Sequence, residues 1–229
     1  MEQLVFELAE PEPPAFANFV VGANREAVAA LDALAAGRLR EAAVVIWGAA
    51  GAGKTHLLRA TVAAAVASGR RAAFLADPAE AQPELAAADV LVAVDSVDTA
   101  DAEAQGRLFT LYNALAAAGG QFLGACARAP AQLALRDDLR TRLGYGLVYE
   151  IVPPADAQKA AALASYARSR GFSLADEVIA YLLAHGRRDM TTLVATLAAL
   201  DRHSLATRRP ITVPLLRDRL ARGNAFRDR

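Results

Sequence analysis

The sequence predicts an α/β fold: a parallel sheet sandwiched by helices, followed by a small all-helical unit. Three observations predict it. Short, β-branched apolar runs alternate with helix-period segments up to residue 151. A glycine-rich loop joins the first of those runs to a helix. After Pro153 and Pro154 only helix-period segments follow.

In chain order, residues 1–10 alternate apolar positions (Leu4, Phe6, Leu8) and run into Pro11, Pro13 and Pro14, which cannot continue a helix. They read as an extended peptide on a stiff tether. Val28, Leu31 and Leu34 repeat at helical spacing, with Asn24 as the expected N-cap and Gly37 as the stop. Val44 to Trp47 reads as a buried strand, Lys54 to Ser68 as a helix stopped by Gly69, and 102–118 as another helix. Further strands are expected at 72–76, 90–94, 121–126 and 147–151. Beyond the two prolines, helices are expected at 156–170, 175–185, 189–206 and 213–222. Ser173, Asp189 and Thr212 are their expected caps, and Gly171 and Gly186 their stops.

Charge supports the same division. The 25 basic and 25 acidic residues cancel, which argues against a surface coated for nucleic acid. Yet residues 1–152 hold 12 basic and 18 acidic groups, while 153–229 hold 13 and 7, so the sign flips where the structural class changes. The chain therefore divides into a peptide (1–10), an α/β base (11–152) and a helical unit (153–229). The single thiol, Cys126, implies a reducing compartment and inert packing on a strand. No apolar run spans a bilayer and the start is acidic, so a cytoplasmic protein without a membrane segment is expected. His56, His185 and His203 lack metal-site spacing.

Gly48-Ala49-Ala50-Gly51-Ala52-Gly53-Lys54-Thr55 is a complete GxxxxGK[ST] phosphate loop. Its glycines let backbone N–H groups turn around phosphate oxygens, Lys54 supplies a compact cation, and Thr55 offers a hydroxyl to Mg²⁺. Only Lys54 and Lys159 are lysines against a strong arginine bias, so a lysine at this place is informative. Val90 to Val94 is an apolar strand that ends in Asp95, the position from which a carboxylate beside such a loop holds Mg²⁺ through water. The competing reading of Asp95 is a turn residue at a strand end.

Taken together, the loop, the Asp95 strand and the helical C-terminal unit make the chain resemble the AAA+ family, and within it DnaA and its relatives. Phe16 to Arg25 resembles the stretch that opens the DnaA AAA+ domain and lines the adenine pocket, which implies nucleotide contacts from Phe19, Val20, Val21 and, beside the loop, His56. Asp138 to Gly146 resembles the arginine-finger motif, with Arg142 at the finger position and Arg140 as its nearest competitor. Arg128 and Pro130 resemble the end of the sensor 1 segment. No helix-turn-helix follows the helical unit, and 77–88 is short and acidic where DnaA carries a single-strand-binding insertion. The chain is accordingly similar to the Hda family, the DnaA regulatory inactivators. Gln3-Leu4-Val5-Phe6-Glu7-Leu8 resembles the peptide by which that family docks on the sliding clamp, the β subunit of DNA polymerase III, which implies clamp contacts from Gln3, Leu4, Phe6 and Leu8. An edge strand or disordered leader is the alternative for that peptide.

The resemblance fails at three places. Ser96 stands where a hydrolysing site has a second acid, Ala125, Cys126 and Ala127 offer no sensor 1 polar group, and Thr191 stands at the sensor 2 arginine, with Arg188 as a neighbouring substitute. A phosphate cradle without these groups implies a switch that binds ADP or ATP, with Mg²⁺ at Thr55 and Asp95, and has little hydrolysis of its own. The resemblance then implies a clamp-tethered, replisome-associated regulator whose Arg142 promotes ATP hydrolysis by DnaA in trans, reaching DNA through the clamp, as a monomer or homodimer. The simpler role for Arg142 is a surface pair with Asp137 or Asp138. An ATP-driven helicase loader is the alternative function, and an adaptor with a vestigial loop a third. Arg208 and Arg209, with the basic lid, could touch DNA near a clamp, or form a solvated helical face.

Overall fold

The computed structural model describes residues 12–207 and 210–217. The residues expected to contact the clamp (Gln3, Leu4, Phe6, Leu8) and Arg208 and Arg209 lie outside them.

Five strands form one wholly parallel sheet: β1 (Ala43–Trp47), β2 (Ala72–Leu75), β3 (Leu91–Val94), β4 (Gln121–Cys126) and β5 (Leu147–Glu150). Their spatial order is β2-β3-β4-β1-β5, so β4 lies between β1 and β3. Both faces are covered, which is why the strands are apolar at successive positions. Val44 and Ile46 point into one core and Val45 into the other; Leu91 and Ala93 separate in the same way from Val92 and Val94. Helices α1 (Arg25–Ala35) and α2 (Lys54–Ala67) bring Leu31, Leu34, Leu57 and Leu58 to the first face. Helices α3 (Ala102–Ala118) and α4 (Asp137–Tyr145) bring Leu108, Leu111, Leu115, Leu139 and Leu143 to the other.

Beyond β5 the chain continues as α5 (Asp156–Ser169), α6 (Asp176–His185), α7 (Met190–Thr207) and a helical stretch at 213–217. These helices enclose a third core of their own, built on Leu163, Val178, Leu182, Leu193, Leu197 and Leu200.

Several local expectations change. Asn24 precedes α1, but its side chain makes no cap bond. Its amide instead donates to the Val152 carbonyl (2.9 Å) and its Oδ1 accepts from the Val152 N–H (2.8 Å), so both ends of the side chain are satisfied 128 residues away. Ser173 does not cap α6, because the helix starts at Asp176 behind Ala175 and relies on Asp176 and Glu177 in its first turn. Asp189 does cap α7, accepting from Thr192 N–H at 2.8 Å. Gly171 has the left-handed backbone (φ 82°) that stops α5, whereas Gly186 ends α6 in an extended conformation (φ −85°). Helix α4 was expected only as a motif. Its nine residues include four charged side chains and Gly144, and so carry little apolar periodicity. Segment 77–88 folds as two short turns, Pro78–Glu80 and Pro83–Leu85, the first fixed by Asp77 accepting from Ala79 N–H.

Candidate functional site

The carboxyl ends of β1, β3 and β4 converge, which is where open α/β sheets place ligands. Gly48 begins the phosphate loop; its N–H bonds the Cys126 carbonyl at the tip of β4 (3.3 Å), and its Cα faces the Ile151 carbonyl with no room for a Cβ. Gly51 and Gly53 hold left-handed backbones (φ 76° and 98°), conformations that strain any residue with a Cβ. The N–H groups of Ala50, Gly51 and Gly53 have no hydrogen-bond partner among the described residues. Ala49 accepts from Ala52 N–H (3.2 Å), which closes the loop, and Ala52 is buried beneath it.

Lys54 opens α2, and its ammonium donates to the carbonyls of Gly48 (2.7 Å) and Ala49 (3.0 Å), at the head of the loop. Burial pushes this ammonium below the usual lysine range, against the opposing pull of Asp95 and Asp98. A phosphate would restore the lost solvation. Thr55 donates its hydroxyl to Asp95 Oδ2 at 2.5 Å, while Asp95 Oδ1 accepts from Ser96 N–H at 2.8 Å. A hydroxyl and a carboxylate in contact beside the loop are hard oxygen donors of the kind Mg²⁺ takes together with phosphate. Orphan amides, a desolvated cation and this oxygen pair fit a nucleotide with its metal. Among the described residues there is no cluster of His, Cys, Asp and Glu suited to a metal on its own.

The residues expected on the adenine side sit next to the loop. A Cβ on Gly53 would lie 2.7 Å from the Phe19 ring, so the missing side chain is what lets Phe19 close over the loop. Phe19 also packs on His56, with ring centroids 5.7 Å apart, and His56 Nε2 bonds the Ala15 carbonyl at 3.0 Å. Val20 and Val21 are half-buried in the same segment, which Asn24 ties to Val152.

The three departures from the AAA+ pattern have structural counterparts. Ser96 adopts a left-handed backbone (φ 51°) and carries no acid. Ala125 and Cys126 end β4 between the loop and Asp95 and are fully buried; burial, with the nearby Asp98 charge, pushes the Cys126 thiol up to about 12, so it is inert. On the lid, Thr191 is exposed at the start of α7 and Arg188 is held by Asp156 at 2.5 Å. The lid residue that comes against Gly51 of the loop is Asp189: a Cβ on Gly51 would lie 3.1 Å from its Cβ. Burial raises the Asp189 carboxyl, but bonds from Thr192 and the charge of Arg187 outweigh it and hold the group below the usual carboxylate range. From the sequence alone Asp189 reads only as a cap and Asp98 does not stand out, although its Oδ1 accepts from Ala127 N–H (2.9 Å) and its charge reaches Lys54. The acids at 95, 98 and 101 were the available signal.

On the far side of α4, Arg142 is exposed and makes no hydrogen bond or ion pair among the described residues. Its two expected surface partners are occupied: Asp137 binds Arg140 (2.6 Å) and Asp138 binds Arg136 (2.7 Å). Arg140, the competitor for the finger role, is thus already paired. Arg128 is exposed beyond the tip of β4, and Pro130 is buried.

Two family models match. The bacterial DnaA ATPase domain matches residues 12–76, from the segment before α1 through the loop to β2, and the Hda lid domain matches residues 156–220. The chain thus carries one segment similar to the bacterial DnaA ATPase domain and another similar to the Hda lid domain. Solved structures give the same fold. Domain III of the Thermotoga maritima replication initiation protein DnaA superimposes with a TM-score of 0.76 at 21% identity, over 90% of this chain and 95% of that one. AMPPCP-bound DnaA from Aquifex aeolicus gives 0.70 at 23%, over 83% and 66%, and a Thermotoga maritima RuvB variant gives 0.67 at 16%, over 90% and 70%. A segment similar to the DnaA ATPase domain and one similar to the Hda lid thus stand in one chain with this fold. Among the described residues no helix is long and apolar enough to cross a membrane.

Proposed function

We propose that this AAA+ protein is a nucleotide-bound regulator of replication initiation that promotes ATP hydrolysis by DnaA in trans. The observation that carries the reading is the contrast between its own site and its exposed arginine. The loop keeps orphan amides, Lys54 and the Thr55–Asp95 pair, while the second acid, the sensor 1 polar group and the sensor 2 arginine are replaced by Ser96, Ala125 to Ala127 and Thr191. Arg142 meanwhile stays unpaired on an exposed helix face.

In this reading the loop amides and Lys54 hold the phosphates of ADP or ATP, Thr55 and Asp95 orient Mg²⁺, and Phe19, Val20, Val21 and His56 border the base. The AMPPCP-bound DnaA structure with the same fold supports a nucleotide at this place. Arg142 sits against the γ-phosphate of DnaA's ATP and stabilises charge that develops during transfer, a contribution of roughly 10³- to 10⁵-fold in other phosphoryl-transfer systems. The peptide at Gln3, Leu4, Phe6 and Leu8 tethers the protein to the clamp and so to DNA, with its base in 11–152 and its lid in 153–229. Replication-associated action in the cytoplasm follows.

The test is single-turnover hydrolysis of labelled ATP on DnaA, with this protein and clamp-loaded DNA added. Wild type should accelerate phosphate release, and Arg142→Ala should remove at least 10³-fold of that acceleration if the finger has its usual worth. Full acceleration by Arg142→Ala would end the trans-finger reading.

A further inference from the structure

The turn that follows β3 brings to the phosphate loop a carboxylate that the proposed function leaves unused. Ser96 is exposed and adopts a left-handed backbone (φ 51°), a conformation uncommon outside glycine, asparagine and aspartate. Its carbonyl accepts from both the N–H (2.9 Å) and the hydroxyl (2.8 Å) of Thr99, and Val97 is fully buried, so the turn Val97–Thr99 is fixed by hydrogen bonds and by the core. The turn carries Asp98 back to the tip of β4, where its Oδ1 accepts from the Ala127 N–H at 2.9 Å. The carbonyl of the same peptide unit, that of Cys126, accepts from the Gly48 N–H at 3.3 Å. One peptide plane therefore separates the Asp98 carboxylate from the first residue of the phosphate loop.

Asp98 is half-buried, and among the described residues its Oδ2 makes no hydrogen bond and its carboxylate no ion pair. Arg128, two residues beyond Cys126, makes no ion pair among them either. Burial pushes the Lys54 ammonium down while Asp95 and Asp98 both pull against it, and the charge of Asp98 adds to the burial that pushes the Cys126 thiol up. One cation thus stands against two carboxylates around a loop whose free amides suit phosphate. An anion enters such a partly water-excluded cradle against net negative charge, and a divalent cation arriving with the phosphates reverses that sign. We propose that Asp98 is a specificity-determining residue of the nucleotide site: it disfavours free di- or triphosphate and makes binding depend on a divalent cation that accompanies the phosphates. Thr55 and Asp95 offer the hard oxygens beside the loop, and Asp98 adds the charge that the cation compensates. The inference rests on the nucleotide-binding half of the proposed function and not on its trans-acting half.

The experiment measures the dissociation constant of ADP by isothermal titration calorimetry, in Mg²⁺ and in EDTA, for wild type, Asp98→Asn and Asp98→Ala. Asparagine keeps an oxygen for the Ala127 N–H and removes only the charge, so Asp98→Asn should retain the wild-type circular dichroism. Wild type should bind ADP at least about tenfold more tightly in Mg²⁺ than in EDTA. Asp98→Asn should bind ADP about tenfold more tightly than wild type in EDTA and gain nothing in Mg²⁺, so that the ratio between the two media falls about tenfold. Asp98→Ala, which also frees the Ala127 N–H, should show the same lowered ratio at weaker affinity in both media. An unchanged ratio in Asp98→Asn overturns the proposal. So does a loss of affinity equal in both media, which would leave Asp98 only a bond to β4. Equal affinity of wild type in the two media overturns it without any variant, and leaves the nucleotide-bound reading standing. If wild type binds ADP in neither medium, that reading falls and the role of Asp98 with it.

Discussion

At the scale of single residues, the site depends on polar groups whose partners lie far along the chain. Asn24 is buried and holds both backbone groups of Val152, joining the segment that borders the loop to the strand-to-lid connection. Asn24→Ala should therefore cost about 1–2 kcal/mol in urea denaturation, as Val152 loses two bonds. Cys126 gives a prediction with a defined sign. Its folded-state thiol is pushed from 9.0 up to about 12, so between those values the folded protein keeps a proton that the unfolded chain loses. Its contribution is complete below pH 9 and lost as pH rises towards 12, so wild type should lose more stability than Cys126→Ala over that interval. Equal losses in both proteins would contradict the burial argument. The placement of Lys54 and Thr55 at the head of α2 is legible in the sequence because the loop is continuous. The Asn24 bond and the approach of Asp189 to Gly51 were not, because each joins residues brought together only by the folded chain.

At the scale of elements, the alternation of apolar runs with helical periods gave the five strands and most helices to within a residue or two, since a sheet covered on both faces leaves uninterrupted apolar runs. Helix α4 escaped because Leu139 and Leu143 alone anchor it among charged neighbours. Yet it carries the surface on which the proposed function rests, and whether Arg142 was paired could not be read from a sequence offering Asp137 and Asp138 as equal partners. Its stability can be probed away from that chemistry. Gly144 lies within α4, and a Cβ there would meet nothing within 4 Å. Gly144→Ala should stabilise the protein by up to about 1 kcal/mol in denaturant melts, because helix interior positions favour alanine over glycine. A loss of stability would mean that α4 needs the freedom of glycine at this point.

At the scale of the whole molecule, the zero net charge conceals an acidic α/β base and a basic helical lid. The lid nevertheless approaches the phosphate loop through the Cβ of Asp189, whose carboxylate is held by Thr192 and Arg187, and it carries Thr191 at the place of the sensor 2 arginine. The base likewise keeps Asp95 and Asp98 near Lys54 without an acid at 96. In the proposed reading, cradle and chemistry are thus separated: the molecule holds a nucleotide on one side and offers an arginine on another. The most direct measurement loads γ-labelled ATP either on DnaA or on this protein, with unlabelled nucleotide on the other, and follows label release in the assembled mixture. The account predicts release from DnaA, accelerated by wild type but not by Arg142→Ala, and no more than slow release when the label starts on this chain. Rapid release of label carried by this chain, with DnaA's ATP untouched, would contradict it.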